Sequence, residues 1–266
     1  MSTSIKLGNC FGVPIKVHLN WFITAALVTW SLSAGFFPHE FPGWQSSMYW
    51  VAGLITSLFF FASVLAHELA HAVIAQHEGI RVRDITLFIL GGLANITEEP
   101  GTPISEFRIV AAGPLMSLIL SALLLIGSLA TGFNREVSFV ALYLSEVNLL
   151  LAIFNLIPGL PLDGGRILRS MLWNWLGDFN KATLWGSIAG LFFGLGIGAV
   201  GVVLLVSRNY FAGLWIVFVG WYLATAAQAS YRQTKEEAQN LSITVPDHIG
   251  KPQPVLESER INKPFG

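Results

Sequence analysis

MYWVAGLITSLFFFASVLAHELAHAVIAQ, residues 48–76, is the stretch that decides the fold class. It is long and apolar enough to cross a bilayer, whose hydrocarbon core of about 30 Å takes about 20 such residues. Yet its second half holds His67, Glu68 and His71 in the run HELAH. An ionisable group at bilayer depth costs at least about 2.5–3.5 kcal/mol on insertion scales, so three together need a purpose. On a helix, positions i and i+4 share a face one turn apart, which lets two imidazoles hold one zinc ion. Glu68 follows His67 by about 100° of rotation, where it can take a proton from water beside the metal. The structural alternative, a surface helix that happens to carry these three side chains, suits a soluble chain and not a hydrocarbon span.

The rest of the chain agrees with a membrane setting. Of its 266 residues 53% are hydrophobic and only 12% charged, and the mean hydropathy is +0.62. A soluble domain carries about a quarter charged residues, so a disordered chain, a disulfide scaffold and an ordinary soluble enzyme are excluded. The net charge of −1 leaves no reason to expect a nucleic-acid partner. Cys10 stands alone and forms no internal disulfide. The first apolar run lacks an A-x-A cleavage site and is followed by many more, so no cleavable signal peptide is expected.

Six spans are predicted, at 19–36, 48–76, 107–131, 138–157, 183–207 and 211–229. The expected fold is therefore an all-α polytopic membrane protein in the lipid bilayer. With the N-terminus inside, 13 of the 15 lysines and arginines fall on the cytoplasmic side, leaving only Arg135 and Arg208 opposite. That asymmetry places both termini in the cytoplasm. Residues 80–97, IRVRDITLFILGGLANIT, carry β-branched residues on either side of Gly91-Gly92 and predict a short membrane-associated β-hairpin. Residues 162–176 predict a helix lying at the interface, with Arg166 and Arg169 among apolar neighbours. The chain divides into a membrane domain, 1–231, and a polar tail or linker, 232–266.

A catalytic zinc needs a third protein ligand and an open position. His77 sits about 9 Å beyond His71 along an unbroken helix and cannot share the metal. Glu146 falls in the opposite half of its span and misses the depth of HELAH. Asp163 matches, because it follows the fourth span in FNLIPGLPLDGG (Phe154 to Gly165), and that span runs in the same direction as the second. Pro158 and Pro161 break the helix there, and Gly164-Gly165 frees the backbone after the aspartate. Irregular backbone at this depth belongs where it lines a polar cavity. Capping of the following helix is the structural alternative for Asp163. Asn148 and Asn155 lie seven apart on nearly one helix face, facing substrate or bonding between helices. Gly186, Gly190, Gly194 and Gly198 form a ladder suited to close helix packing.

HELAH in one span, FNLIPGLPLDGGR after another and AAGPLMS between them resemble the site-2 protease family of intramembrane zinc metalloproteases. The likeness runs from about Gly8 through Gln228. It implies that His67, His71 and Asp163 bind one zinc ion per chain and that Glu68 is the general base. It also implies that Asn155 orients substrate or polarises the scissile carbonyl. Many members carry Asn where this chain has Ser117. Some append a CBS pair or insert a PDZ domain; with short loops and 35 residues after Tyr231, neither is expected within this sequence.

The expected activity is endoproteolysis of a transmembrane segment near the cytoplasmic face of a bacterial plasma membrane. The resemblance implies a single-span membrane protein as substrate, such as an anti-sigma factor or a transcriptional regulator. A hairpin carrying Gly91 and Gly92 could receive the unwound substrate as an added strand. Two alternatives stay open: a membrane-embedded zinc protease acting on soluble or lipidated peptides, and a zinc transporter.

Overall fold

The computed structural model of the protein describes residues 4–88, 91–130 and 134–244. Among the described residues six helices are long and apolar enough to cross a membrane: Leu19–Glu40, Ser46–His77, Pro103–Ala130, Arg135–Asn155, Phe179–Val206 and Tyr210–Arg232. Each corresponds to one predicted span, and most begin a few residues earlier, because capping chemistry and not hydropathy sets the ends. The first comprises α1 (Leu19–Ser31), a π turn at Leu32–Phe36 and α2 (Phe37–Glu40).

The second, α3 (Ser46–His77), has 32 residues, or about 48 Å at 1.5 Å each, and so outruns the hydrocarbon. Gly79, with φ of 81°, ends it in the left-handed region. The third, α4 (Pro103–Ala130), opens on a proline with Thr102 accepting from the Ser105 amide. Side chains of Asn134 and Asp178 cap α5 (Arg135–Asn155) and α7 (Phe179–Val206). The interfacial helix is present as α6 (Asp163–Leu176), which ends at Gly177. The last helix, α8 (Tyr210–Thr244), carries on past residue 231, where the sequence turns polar.

The β-structure is larger than the single predicted hairpin. Strands β1 (Ser4–Cys10), β2 (Val13–His18), β3 (Val82–Phe88) and β4 (Gly91–Ile96) form one sheet in that order. The outer pairs are antiparallel and β2–β3 is parallel. The first hairpin turns through Phe11 and Gly12, both at positive φ, a turn that carries no Asn-Gly or Asp-Gly signal. In the second, Phe88 pairs with Gly91 and Leu87 with Gly92. Both glycines therefore belong to strand β4, not to the connection where the sequence reading centred the turn. Val13 and Ile85 of the sheet pack on Ala72 of α3, with Leu65, Leu69 and Ala94 around them. This places β4, one of the two edge strands of the sheet, alongside the HELAH turn.

Helices α3, α4 and α5 form the central group, and α7 packs against α8 as a separate hairpin. The glycine ladder serves both sides of α7. A Cβ at Gly190 would overlap the Leu160 carbonyl, and one at Gly194 would stand 2.7 Å from the Ala224 amide nitrogen. The first half of the ladder thus seats the loop after α5, where the Leu160 amide donates to the Gly186 carbonyl at 3.1 Å. The second half makes the α7–α8 seam.

Candidate metal centre

His67 and His71 lie on the buried stripe of α3 and are 4% and 7% exposed, so neither is a surface histidine. Their Nε2 atoms stand 3.3 Å apart, and Oδ2 of Asp163 stands 3.1 Å from the first and 3.2 Å from the second. Among the described residues these three form the group whose ligand atoms converge closely enough for one metal ion.

The donor set fits zinc. Nδ1 of His71 lies 2.8 Å from the Ile109 carbonyl oxygen, which can only accept. That nitrogen must therefore carry the proton, leaving the Nε2 lone pair of the neutral ring aimed at its neighbours. Nδ1 of His67 lies 2.9 Å from the Ser117 hydroxyl, which holds the second ring in place and accepts from Nδ1 when Nε2 of that ring binds a metal. Two lone pairs and a carboxylate pointed at one spot repel one another unless a cation sits between them. A tetrahedral ion with bonds near 2.0–2.1 Å spaces its ligand atoms by about 3.3 Å, close to the three distances observed.

Helix α4 provides the floor. Glu106, Ile109, Gly113 and Ser117 follow one another at helical spacing along one face, and each bears on the cluster or its supports. A Cβ on Gly113 would stand 2.6 Å from Nε2 of His67 and closer still to Nε2 of His71. The absent side chain is the space in which both metal-facing nitrogens sit. Pro114 follows and cannot donate to the Val110 carbonyl, so the helical ladder is interrupted beside the carbonyl that holds His71. AAGPLMS stood out in the sequence as a family marker, but its contacts with the histidines could not be read there. Ser117, the last residue of that run, holds His67.

Glu68 is half-buried and points toward β4. A Cβ at Gly92 would overlap its Cγ and stand 3.1 Å from its Cδ, so Gly92 is the residue that lets the edge strand close over the glutamate. The backbone amide of Ala94 also faces this carboxyl. Gly91 takes a φ of 136°, a conformation other residues rarely adopt.

The remaining candidates fall outside the cluster. Nδ2 of Asn155 donates to the Leu151 carbonyl of its own helix at 2.9 Å. Asn148 is 1% exposed and bonds Ser63 of α3 at 3.1 Å, which is the interhelical role. His77 is exposed at the end of α3, and Glu146 is exposed on α5, away from the three ligands. Glu106 lies one residue outside the third predicted span, 107–131, yet belongs to the helix that forms it. It sits in the first turn of α4, wholly buried, and was missed because α4 starts four residues before hydropathy predicted.

Comparison with known proteins converges on one family. The model of peptidase family M50 matches residues 55–133 and 130–197. A Synechocystis protein that bears a zinc metalloprotease name is 38% identical over 96% of this chain and 67% of its own length. The zinc metalloprotease relative Rip3 of Mycobacterium tuberculosis is 39% identical over 91% of this chain and 61% of its own length. The chain thus spans roughly two thirds of these curated relatives. Among solved structures, the site-2 protease from Methanocaldococcus jannaschii superposes with a TM-score of 0.56 at 29% identity. That match covers 86% of this chain and 95% of the other.

Proposed function

The chain belongs to peptidase family M50, the site-2 protease family, and from that premise we propose that it is an intramembrane zinc endopeptidase. The observation that carries the reading is the convergence of His67, His71 and Asp163 beside Glu68 under a free strand edge. His67, His71 and Asp163 would hold the zinc ion, which when bound supplies a Lewis acid for the scissile carbonyl. Glu68 takes a proton from the attacking water and returns it to the departing amine. The substrate is a single-span membrane protein, an anti-sigma factor or transcriptional regulator in the family pattern, cut near the cytoplasmic face.

An amide in a regular helix is shielded by its own hydrogen bonds, so the substrate must unwind. Strand β4 would take the unwound segment as an added strand, satisfying backbone groups that lipid leaves bare. Gly91 and Gly92 keep that edge free of side chains next to Glu68. Asn155, the last residue of α5 before the loop that leads to Asp163, would turn its amide from Leu151 to the substrate. Residues 1–231 form the protease domain in a bacterial plasma membrane, with both termini cytoplasmic and 232–266 as a tail or linker.

The test is purified Glu68→Gln protein in nanodiscs with a single-span model substrate. We expect wild-type zinc content and no cleavage. Undiminished cleavage by this variant refutes the assignment of Glu68. Wild-type cleavage of detached peptides but not of the spanning substrate favours the soluble-peptide alternative. Zinc flux in sealed vesicles favours the transporter.

A further inference from the structure

A second buried ionic cluster lies on α4 and α6, the helices that also carry the floor of the metal cradle and Asp163. Glu106 of α4 is 0% exposed and Arg169 of α6 is 5% exposed. Nε of Arg169 donates to Oε1 of Glu106 at 2.9 Å, and its Nη2 donates to the same oxygen. Nε of Arg166 stands 3.5 Å from that oxygen as well. The Arg169 guanidinium also reaches Glu99 at 3.3 Å and lies 4.6 Å from the ring centre of Phe179. One cation thus ties α4, α6, the start of α7 and the segment after β4 together.

A buried pair of this kind adds little stability over apolar side chains of the same volume, because both charges are taken out of water. What it provides is a fixed geometry, and its place in the chain says for what. Arg169 lies six residues after Asp163 on α6, about 9 Å along the axis. Glu106 lies three residues before Ile109, whose carbonyl holds His71, and on the same face as Ser117, which holds His67. The histidines are therefore registered against α4. Asp163 is registered instead against the loop after α5 and against α7, where a Cβ on Gly159 would stand 2.5 Å from the Gly190 Cα. Glu106 makes the ionic link between these two groups, hydrogen-bonded by Arg169 and approached by Arg166 at 3.5 Å.

We propose that Glu106 and Arg169 are positioning residues for Asp163, locking the roll and height of α6 against α4 so that its carboxylate meets the two histidines. This rests on the reading of Asp163 as a metal ligand. Outer supports of a metal site cost about 10–100-fold in metal affinity when removed.

The test is zinc affinity by competition with a chromophoric chelator, on the purified full chain in detergent. Wild type is compared with Glu106→Gln, Arg169→Lys and the apolar double variant Glu106→Met/Arg169→Met, which keeps a filled interface if the single variants do not fold. Asn148→Ala is the control, removing a buried bond between α3 and α5 without touching α6. We expect all pair variants to bind zinc about 10–100-fold more weakly, with the control unchanged. Wild-type affinity in the folded pair variants overturns the proposal, as does an equal loss in Asn148→Ala, which would indicate general loosening. Failure of the wild type itself to bind zinc overturns the metal-centre reading beneath it.

Discussion

The substitution Gly113→Ala adds one methyl group at the floor of the cradle. Its Cβ would stand 2.6 Å from Nε2 of His67, whereas ordinary contacts begin at 3.4 Å, a deficit of 0.8 Å (3.4 − 2.6). The deficit at His71 is larger. The rings cannot simply swing away, since each Nδ1 is held, at 2.9 Å by Ser117 and at 2.8 Å by Ile109. Leaving such a buried group unpaired costs about 1–3 kcal/mol. Metal sites tolerate displacements of about 0.2 Å, so we expect zinc affinity to fall by about 100-fold or more, equivalent to about 2.8 kcal/mol. The helix itself gains, as alanine is better than glycine in a helix interior by about 0.8–1.0 kcal/mol. The two effects separate in two assays: chelator competition for zinc, and thermal unfolding of the metal-free protein. Loss of affinity with an unfolding temperature near wild type is the expected pair of results. Wild-type zinc affinity in folded Gly113→Ala protein would show that the histidine nitrogens do not face a metal over Gly113.

Two further outcomes follow from the edge strand and the sheet. Gly92→Ala drives a Cβ into Glu68 while leaving the three ligands alone, so kcat should fall by about 100-fold, the cost of misplacing a reacting group by about 1 Å, with zinc content unchanged. Unchanged kcat would detach Glu68 from β4. Burial in the sheet pushes the Asp84 carboxyl up, but hydrogen bonds from Lys16, Asn95 and Thr86 outweigh it and hold the group below its ordinary value. Its stabilising contribution is therefore complete above pH of about 4 and lost as the pH falls below that. Thermal melts of wild type against Asp84→Asn should differ at pH 7 and converge in acid. A gap that widens in acid reverses the sign and refutes the account.

HELAH, LDGG and the scarcity of charge were enough to read the spans and to nominate the three side chains that converge. That worked because a bilayer punishes every polar group without a purpose, so the few that persist in a span announce themselves by position. Glu106 escaped the same reasoning. It lies in a turn that hydropathy assigned to the loop, and the partner that makes its burial tolerable, Arg169, comes 63 residues later. The hairpin of β1 and β2 escaped because its turn, Phe11-Gly12, carries no Asn-Gly or Asp-Gly signal, although Val13, Ile15 and Val17 do alternate along β2.

The sequence by itself determined the membrane class, the spans and the metal-binding residue types, all of which depend on local pattern and solvent cost. Only the tertiary structure decided that Gly113 and Gly92 are empty by necessity, that Ser117 and Ile109 orient the histidines, and that Glu106 reaches Arg169. Those are facts of close approach between segments far apart in the chain. A glycine or a carbonyl acquires its meaning from whatever lies against it.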